Sequence, residues 1–220
     1  MQPGDLPPDR NPSTALLIRK SGAGYLAIHH AYEGRCFLKK GLVVISGCSG
    51  GGKSTLLAEL KVRGYAVVEE PGRRIIRQEQ ACGGSALPWL DLAAFLRRAI
   101  DMALADRAAA EDHDEWVFFD RGLVDAASAL EALTGDPITR SLCTEHCYHP
   151  AVFMAPPWPE IYVSDADRKH GFEAAVAEYD RLMQAFPALG YEVIPLPKTP
   201  TTQRADLVLA SLDGAIAADP

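Results

Sequence analysis

The chain has 220 residues, 48 % of them apolar and 23 % charged, the composition of an ordinary soluble protein with one large or two small domains. A chain of this size buries about 70 % of its unfolded surface, so it needs neither disulfide staples nor a structural metal to hold a core. A net charge of −7 excludes a general attraction to duplex DNA or anionic lipid, and any anion binding has to be local.

No apolar run approaches the ~20 residues of a membrane-spanning helix, and Met1 to Asp5 lacks the basic start and apolar centre of a signal peptide, so a cytoplasmic protein is expected. Cys36, Cys48, Cys82, Cys143 and Cys147 are scattered and odd in number, as suits free thiols in a reducing compartment. Cys143, His146, Cys147 and His149 crowd together without a C-x₂-C pair and read as a helix end rather than a zinc site.

Residues 1–40 form an N-terminal extension without an assigned role. Four prolines punctuate a polar start, and a hairpin is predicted over 25–38 around Glu33-Gly34. Residues 41–217 change character: short apolar runs alternate with helical stretches, the pattern of βαβ units and a parallel sheet. Five strands are predicted, over 42–46, 65–69, 115–120, 151–155 and 191–196. The intervening helices are expected over 53–62, 91–112 and 124–133, from Pro137 behind Asp136, over 165–186 with Pro187 as its stop, and over 201–216.

After the first strand stands Gly47-Cys48-Ser49-Gly50-Gly51-Gly52-Lys53-Ser54, then Thr55 and an apolar helix. This is G-x-x-x-x-G-K-[ST] in the strand–loop–helix setting that a phosphate loop requires. Glycines let successive backbone N–H groups turn inward around phosphates, and the helix N-terminus adds partial positive charge. Lys53 is expected on the β- and γ-phosphates of ATP or GTP, Ser54 on Mg²⁺ and Thr55 near the α-phosphate. Cys48 fills a variable position.

Further candidates lie at the carboxyl ends of the other strands, where open α/β sheets assemble their sites. Asp120, in Phe118-Phe119-Asp120-Arg121-Gly122, is a Mg²⁺ ligand candidate, and Arg121 a phosphate or carboxylate partner. Glu69-Glu70-Pro71-Gly72-Arg73-Arg74, with Arg77 one turn on, sets two carboxylates among three guanidiniums. One carboxylate can accept a hydroxyl proton while arginines clamp an anion. Glu70 is preferred as the base because Pro71 stiffens the chain just after it, although the sequence alone leaves Glu69 open. Trp89 is a stacking surface or a core anchor. Arg168 is the lid candidate that would deliver charge to the transferring phosphoryl group. Pro197-Lys198-Thr199-Pro200-Thr201 is a loop at the nucleotide base.

These stretches, with Gly83 to Trp89 and Pro156 to Tyr162, resemble the AAA-type P-loop family that includes the nucleoside-kinase domain of bacterial NadR and a TRPL-translocation protein of animals. Glu70-Pro71-Gly72 is similar to the Glu-Pro-Gly segment of thymidylate kinases, and Asp120-Arg121 to the acid–arginine pair of deoxynucleoside kinases. The resemblance implies an α/β P-loop NTPase three-layer sandwich, with a five-stranded parallel sheet in order 2-3-1-4-5 and an acceptor site after strand 2.

Two functions follow as expectations. The first is a Mg-ATP-dependent small-molecule kinase of nucleoside or nucleotide type, with Lys53, Glu70, Asp120, Arg121 and Arg168 catalytic and Glu69, Arg73, Arg74, Arg77 and Trp89 at the acceptor. The second is a nucleotide-dependent switch with slow hydrolysis. The partner expected is a small-molecule phosphoryl acceptor, without a nucleic-acid duplex or a membrane span, and a homodimer is compatible with either reading.

Overall fold

The computed structural model describes residues 41–162 and 171–217, with side chains described as far as residue 213. The expected hairpin over 25–38 and the lid candidate Arg168 lie outside the described residues. Strands β1 (Leu42–Gly47), β2 (Ala66–Val68), β3 (Val117–Asp120), β4 (Ala151–Ala155) and β5 (Glu192–Pro195) form one sheet in order β2-β3-β1-β4-β5. All four pairings are parallel.

The pleat of β1 explains the layers. Leu42 and Val44 face one side, where Ile75, Leu96, Leu123, Leu182 and Phe186 close a core. Val43 and Ile45 face the other, against Leu56, Leu60, Val208 and Leu212. Both faces of the central strand are therefore apolar, which is why its sequence reads as a continuous run instead of alternating. Helices α1 (Lys53–Val62) and α7 (Thr201–Ala217) cover the second face. Helices α2 (Pro71–Cys82), α3 (Leu92–Ala109), α4 (Leu123–Thr134), α5 (Thr139–Glu145) and α6 (Phe172–Ala188) stand with the first.

The chain passes from β1 to β2 on one side of the central strand and, after β3, crosses it to β4 on the other. That reversal opens a crevice at the carboxyl ends of β1 and β3, the usual place for a ligand in such sheets. The register pairs Ile45 with Asp120 and so sets Asp120 beside the start of the phosphate loop.

Three expectations need correction. The segment after β2 is a helix, α2, which the sequence reading left out: its apolar content is confined to few positions, with Ile75 and Ile76 the buried aliphatics. Its punctuation was nevertheless present, with Pro71 in the first turn and Gly83 in the left-handed conformation at its end. Pro187 does not stop α6 but sits inside its final turn, and the helix ends at Ala188. Cys48, Cys82 and Cys143 are thiols outside any disulfide, whereas Cys147 is disulfide-bonded. Among the described residues no helix is long and apolar enough to cross a membrane.

Candidate active site

The loop between β1 and α1 is built by close approach to β4. The N–H of Cys48 donates to the Ala155 carbonyl at 2.9 Å, and that of Gly51 to the Cys48 carbonyl at 3.1 Å. Gly47 has φ +111°, and a Cβ there would stand 2.7 Å from the Ala155 nitrogen, so only glycine fits both the backbone angle and the space. Lys53 is 6 % exposed and donates to the carbonyls of Gly47 and Cys48, at 3.3 and 2.9 Å. These are weak local partners that phosphate oxygens can replace. Burial, then the charge of Arg121, lowers the Lys53 ammonium against the opposing pull of Asp120, Glu70 and Glu178.

Asp120 and Ser54 meet as expected from the strand-end register: the Ser54 hydroxyl donates to Oδ2 of Asp120 at 3.3 Å. The other oxygen, Oδ1, is buried without a hydrogen-bond partner. A buried, unsatisfied carboxylate oxygen costs free energy unless something else ligates it. Burial, and next the neighbouring Glu70 charge, pushes the Asp120 carboxyl up to about 6. One carboxylate and one hydroxyl at the loop are the hard oxygen donors that Mg²⁺ takes from proteins when phosphates and waters complete its shell. Among the described residues no group of three or more His, Cys, Asp or Glu is arranged to hold a metal on protein ligands alone.

Arg121 is the hub. It is the residue other than glycine with a left-handed backbone among those described, at φ 68°, a conformation costing roughly 1–2 kcal/mol for an L-residue. Its guanidinium holds Glu70 at 3.2 Å, Asp125 at 3.1 Å and Glu178 at 3.0 Å, joining the carboxyl ends of two strands to α4 and α6. Asp125 also accepts from the Gly122 amide at 2.9 Å and from the Ser46 hydroxyl, so one carboxylate caps α4 and anchors the arginine. Burial works against the Arg121 charge, but Glu178, Glu70 and Asp125 outweigh it and raise its affinity for its proton. For Glu70, burial pulls upward, yet Arg121, Lys53 and Arg73 together hold the carboxyl below its ordinary value.

Two cavities flank this hub. One, of about 610 Å³, runs from the loop past Trp158 and Ile161 to Lys198, Thr199 and Arg204. The other, of about 380 Å³, has an apolar wall that includes Ile76, Pro88, Leu92, Phe95 and Leu96, and a charged end at Arg121, Glu178 and Arg181. Ser49, Glu70 and Arg73 line both.

Of the residues expected at the site, Gly50, Gly52, Ser49, Lys53, Ser54 and Thr55 line the first cavity, and Glu70, Arg73 and Arg121 converge beside it. Glu69 lies on the surface, paired with Arg77 at 2.8 Å. Arg74 turns away to Asp106 on α3, at 2.6 Å. Trp89 lines neither cavity, although its neighbour Pro88 lines the second. Sequence reasoning passed over Asp125, Glu178 and Arg204. Asp125 accepts from the Gly122 amide, but glycine has no side chain to return the bond, so the Ser/Thr-x-x-Glu spacing that marks a reciprocal cap is missing from the sequence. Nothing local marks Glu178 or Arg204, which reach the site from α6 and α7.

A crevice at the switch point of a 2-3-1-4-5 parallel sheet, with a phosphate loop on one side and a second cavity across a carboxylate, defines a P-loop protein of nucleoside-kinase-like fold. Residues 42–204 match the model of an AAA domain family, and the chain belongs to that family. No curated protein matches the chain by sequence. Among solved structures, it is similar to deoxyadenosine kinase from M. mycoides with bound dATP, at 18 % identity and TM-score 0.51, over 78 % of this chain and 98 % of that one. The same kinase with dCMP and dCDP gives 16 % identity and TM-score 0.53 over 79 % of this chain and 98 % of that one. NadR in complex with NR gives 20 % identity and TM-score 0.59 over 78 % of this chain but 50 % of NadR.

Proposed function

We propose that the protein is a Mg-ATP-dependent kinase that phosphorylates a hydroxyl of an uncharged, amphipathic small molecule of nucleoside type. The observation that carries this reading is the position of Glu70, which lines both the phosphate-loop cavity and the apolar cavity across from it. A group that only paired charges on the surface, as Glu69 does, has no reason to stand at that junction.

The loop amides and Lys53 bind and neutralise the polyphosphate, with Lys53 exchanging its two carbonyl partners for phosphate oxygens. Ser54 and Asp120 would hold Mg²⁺, which when bound offsets phosphate charge. Glu70, kept ionised by Arg121 and its other cationic neighbours, accepts the proton of the acceptor hydroxyl as that oxygen attacks the γ-phosphorus. Arg121 fixes the orientation of Glu70, and Arg168 remains the proposed lid cation. The nucleotide proposed is ATP, with GTP as the alternative, and the setting proposed is cytoplasmic.

The acceptor's charge follows from the arginines. Arg73 pairs with Glu70 at 3.3 Å, Arg121 holds three carboxylates, and Arg77 and Arg74 are engaged elsewhere. Arg181 donates to the Ser128 hydroxyl, and burial lowers its affinity for its proton. A phosphorylated acceptor would have to break these pairs. An apolar wall facing a neutralised charged end suits a flat, uncharged ring bearing hydroxyls.

Glu70→Gln tests the assignment. The substitution keeps the side chain's shape but removes the base, so phosphoryl transfer falls by about 10²–10⁴-fold while the Kd for Mg-ATP changes by less than threefold. Equal loss of both would make Glu70 a structural ion-pair partner.

A further inference from the structure

One buried cation at the loop has no counter-charge. Arg204, in the first turn of α7, is 2 % exposed. Its guanidinium donates to the carbonyls of Gly51 and Gly52, at 3.3 and 3.4 Å. Its Nε is buried without a hydrogen-bond partner. No carboxylate of the described residues pairs with it, and burial alone accounts for its weakened hold on its proton. The guanidinium carbon lies 5.8 Å from the centroid of the Trp158 ring, and the side chain lines the phosphate-loop cavity.

A buried arginine whose contacts are two long carbonyl bonds and one aromatic face, with no carboxylate, is a cost to the free protein. It is also fixed in direction, because α7 packs on α1 through Ala205, Val208 and Leu212 against Leu56 and Leu60. Folding of the apolar layer therefore brings the cation against the loop, at the edge of its cavity. A Cβ on Gly52 would come within 2.7 Å of the Arg204 Nη1, so the glycine makes room for it.

We infer that Arg204 is a positioning residue for nucleotide binding: it grips the Gly51 and Gly52 carbonyls, sets the phosphate loop in its binding conformation, and supplies a positive charge that the bound polyphosphate neutralises. Each carbonyl it holds belongs to the peptide group whose N–H is contributed by the next residue, Gly52 or Lys53. The Gly52 carbonyl also accepts the first bond of α1, from the Leu56 amide at 3.2 Å, so it is at the Gly51 carbonyl that the guanidinium sets the peptide plane, and with it the direction of the Gly52 N–H. The contribution is made to the loop and its polyphosphate, not to base stacking by Trp158.

This inference rests on the nucleotide reading above, and the experiment separates the two. The parent and Arg204→Met are titrated calorimetrically with Mg-ADP and with inorganic tripolyphosphate, and their melting temperatures are measured without ligand. Methionine keeps much of the side chain's length without the charge. The expected result is a Kd at least tenfold weaker for both probes, with the ligand-free melting temperature unchanged or raised because an uncompensated buried charge is gone. A tripolyphosphate Kd within twofold of the parent overturns the inference, as does a lowered melting temperature that accompanies the loss. Arg204→Gln, which keeps donors but no charge, carries the same test if the methionine variant does not fold. A parent that binds neither probe contradicts the nucleotide reading itself.

Discussion

Asp125→Asn isolates what holds the hub together. The carboxylate is 6 % exposed and serves the Arg121 guanidinium, the Gly122 amide and the Ser46 hydroxyl at once. An asparagine presents one oxygen and one NH₂ to the same positions. At least one of the two N–H donors, from Arg121 or Gly122, then faces another donor. A hydrogen bond to a charged group contributes about 1.5–3 kcal/mol, and removing one partner of a buried ion pair costs about 3–5 kcal/mol when the other is stranded. Arg121 is not stranded, since Glu70 and Glu178 remain at 3.2 and 3.0 Å, so a loss of about 2–3 kcal/mol is expected.

For a domain of this size each kcal/mol moves the melting temperature by about 2–4 °C, giving a fall of roughly 4–12 °C. Urea denaturation with an unchanged m-value is the assay. Glu178→Gln is the control, because that carboxylate is 32 % exposed against 6 % for Asp125, so water takes up part of what is lost and a smaller loss is expected. Equal losses from the two variants, or an Asp125→Asn protein within about 0.5 kcal/mol of the parent, would refute the account of Asp125 as the buried carboxylate that anchors the hub to α4.

Two further outcomes follow from the same geometry. Lys53→Ala removes a cation whose partners are loop carbonyls only, so its circular dichroism and melting curve stay close to the parent's while Mg-ATP turnover is lost; a folded variant with full turnover would remove Lys53 from the chemistry. At pH 8, iodoacetamide labels the exposed Cys82 but leaves Cys143 unmodified, because burial above all, with Asp125 and Glu131 adding to it, pushes that thiol up to about 12 and almost no thiolate forms. Peptide mass spectrometry reads the difference, and labelling of Cys143 at a rate comparable to Cys82 would contradict the packing described for α5.

The sheet and loop were legible because each rests on a local pattern: apolar runs for strands buried on both faces, and a glycine-rich sequence between strand and helix. The order of the strands came from resemblance, since no strand encodes its neighbours. Helix α2 escaped because its polar, arginine-rich sequence hid a short apolar stripe. The same arginines suggested an anionic acceptor until the fold paired Arg77 with Glu69 and Arg74 with Asp106. Spacing in the chain could not reveal the second of these, because Asp106 lies 32 residues downstream of Arg74. Asp120 was placed by its position at a strand end. Its unpartnered oxygen, like the buried Arg204, became visible only when the surrounding layers were assembled.

The central claim, phosphoryl transfer to an uncharged hydroxyl compound, is tested most directly by ADP release from Mg-ATP across separate pools of nucleosides, nucleoside monophosphates and other small alcohols, with Lys53→Ala as control. The account predicts stimulation by an uncharged pool that the control lacks. Stimulation by monophosphates alone, or tight nucleotide binding that no pool stimulates, would contradict it, the latter in favour of a slow nucleotide switch.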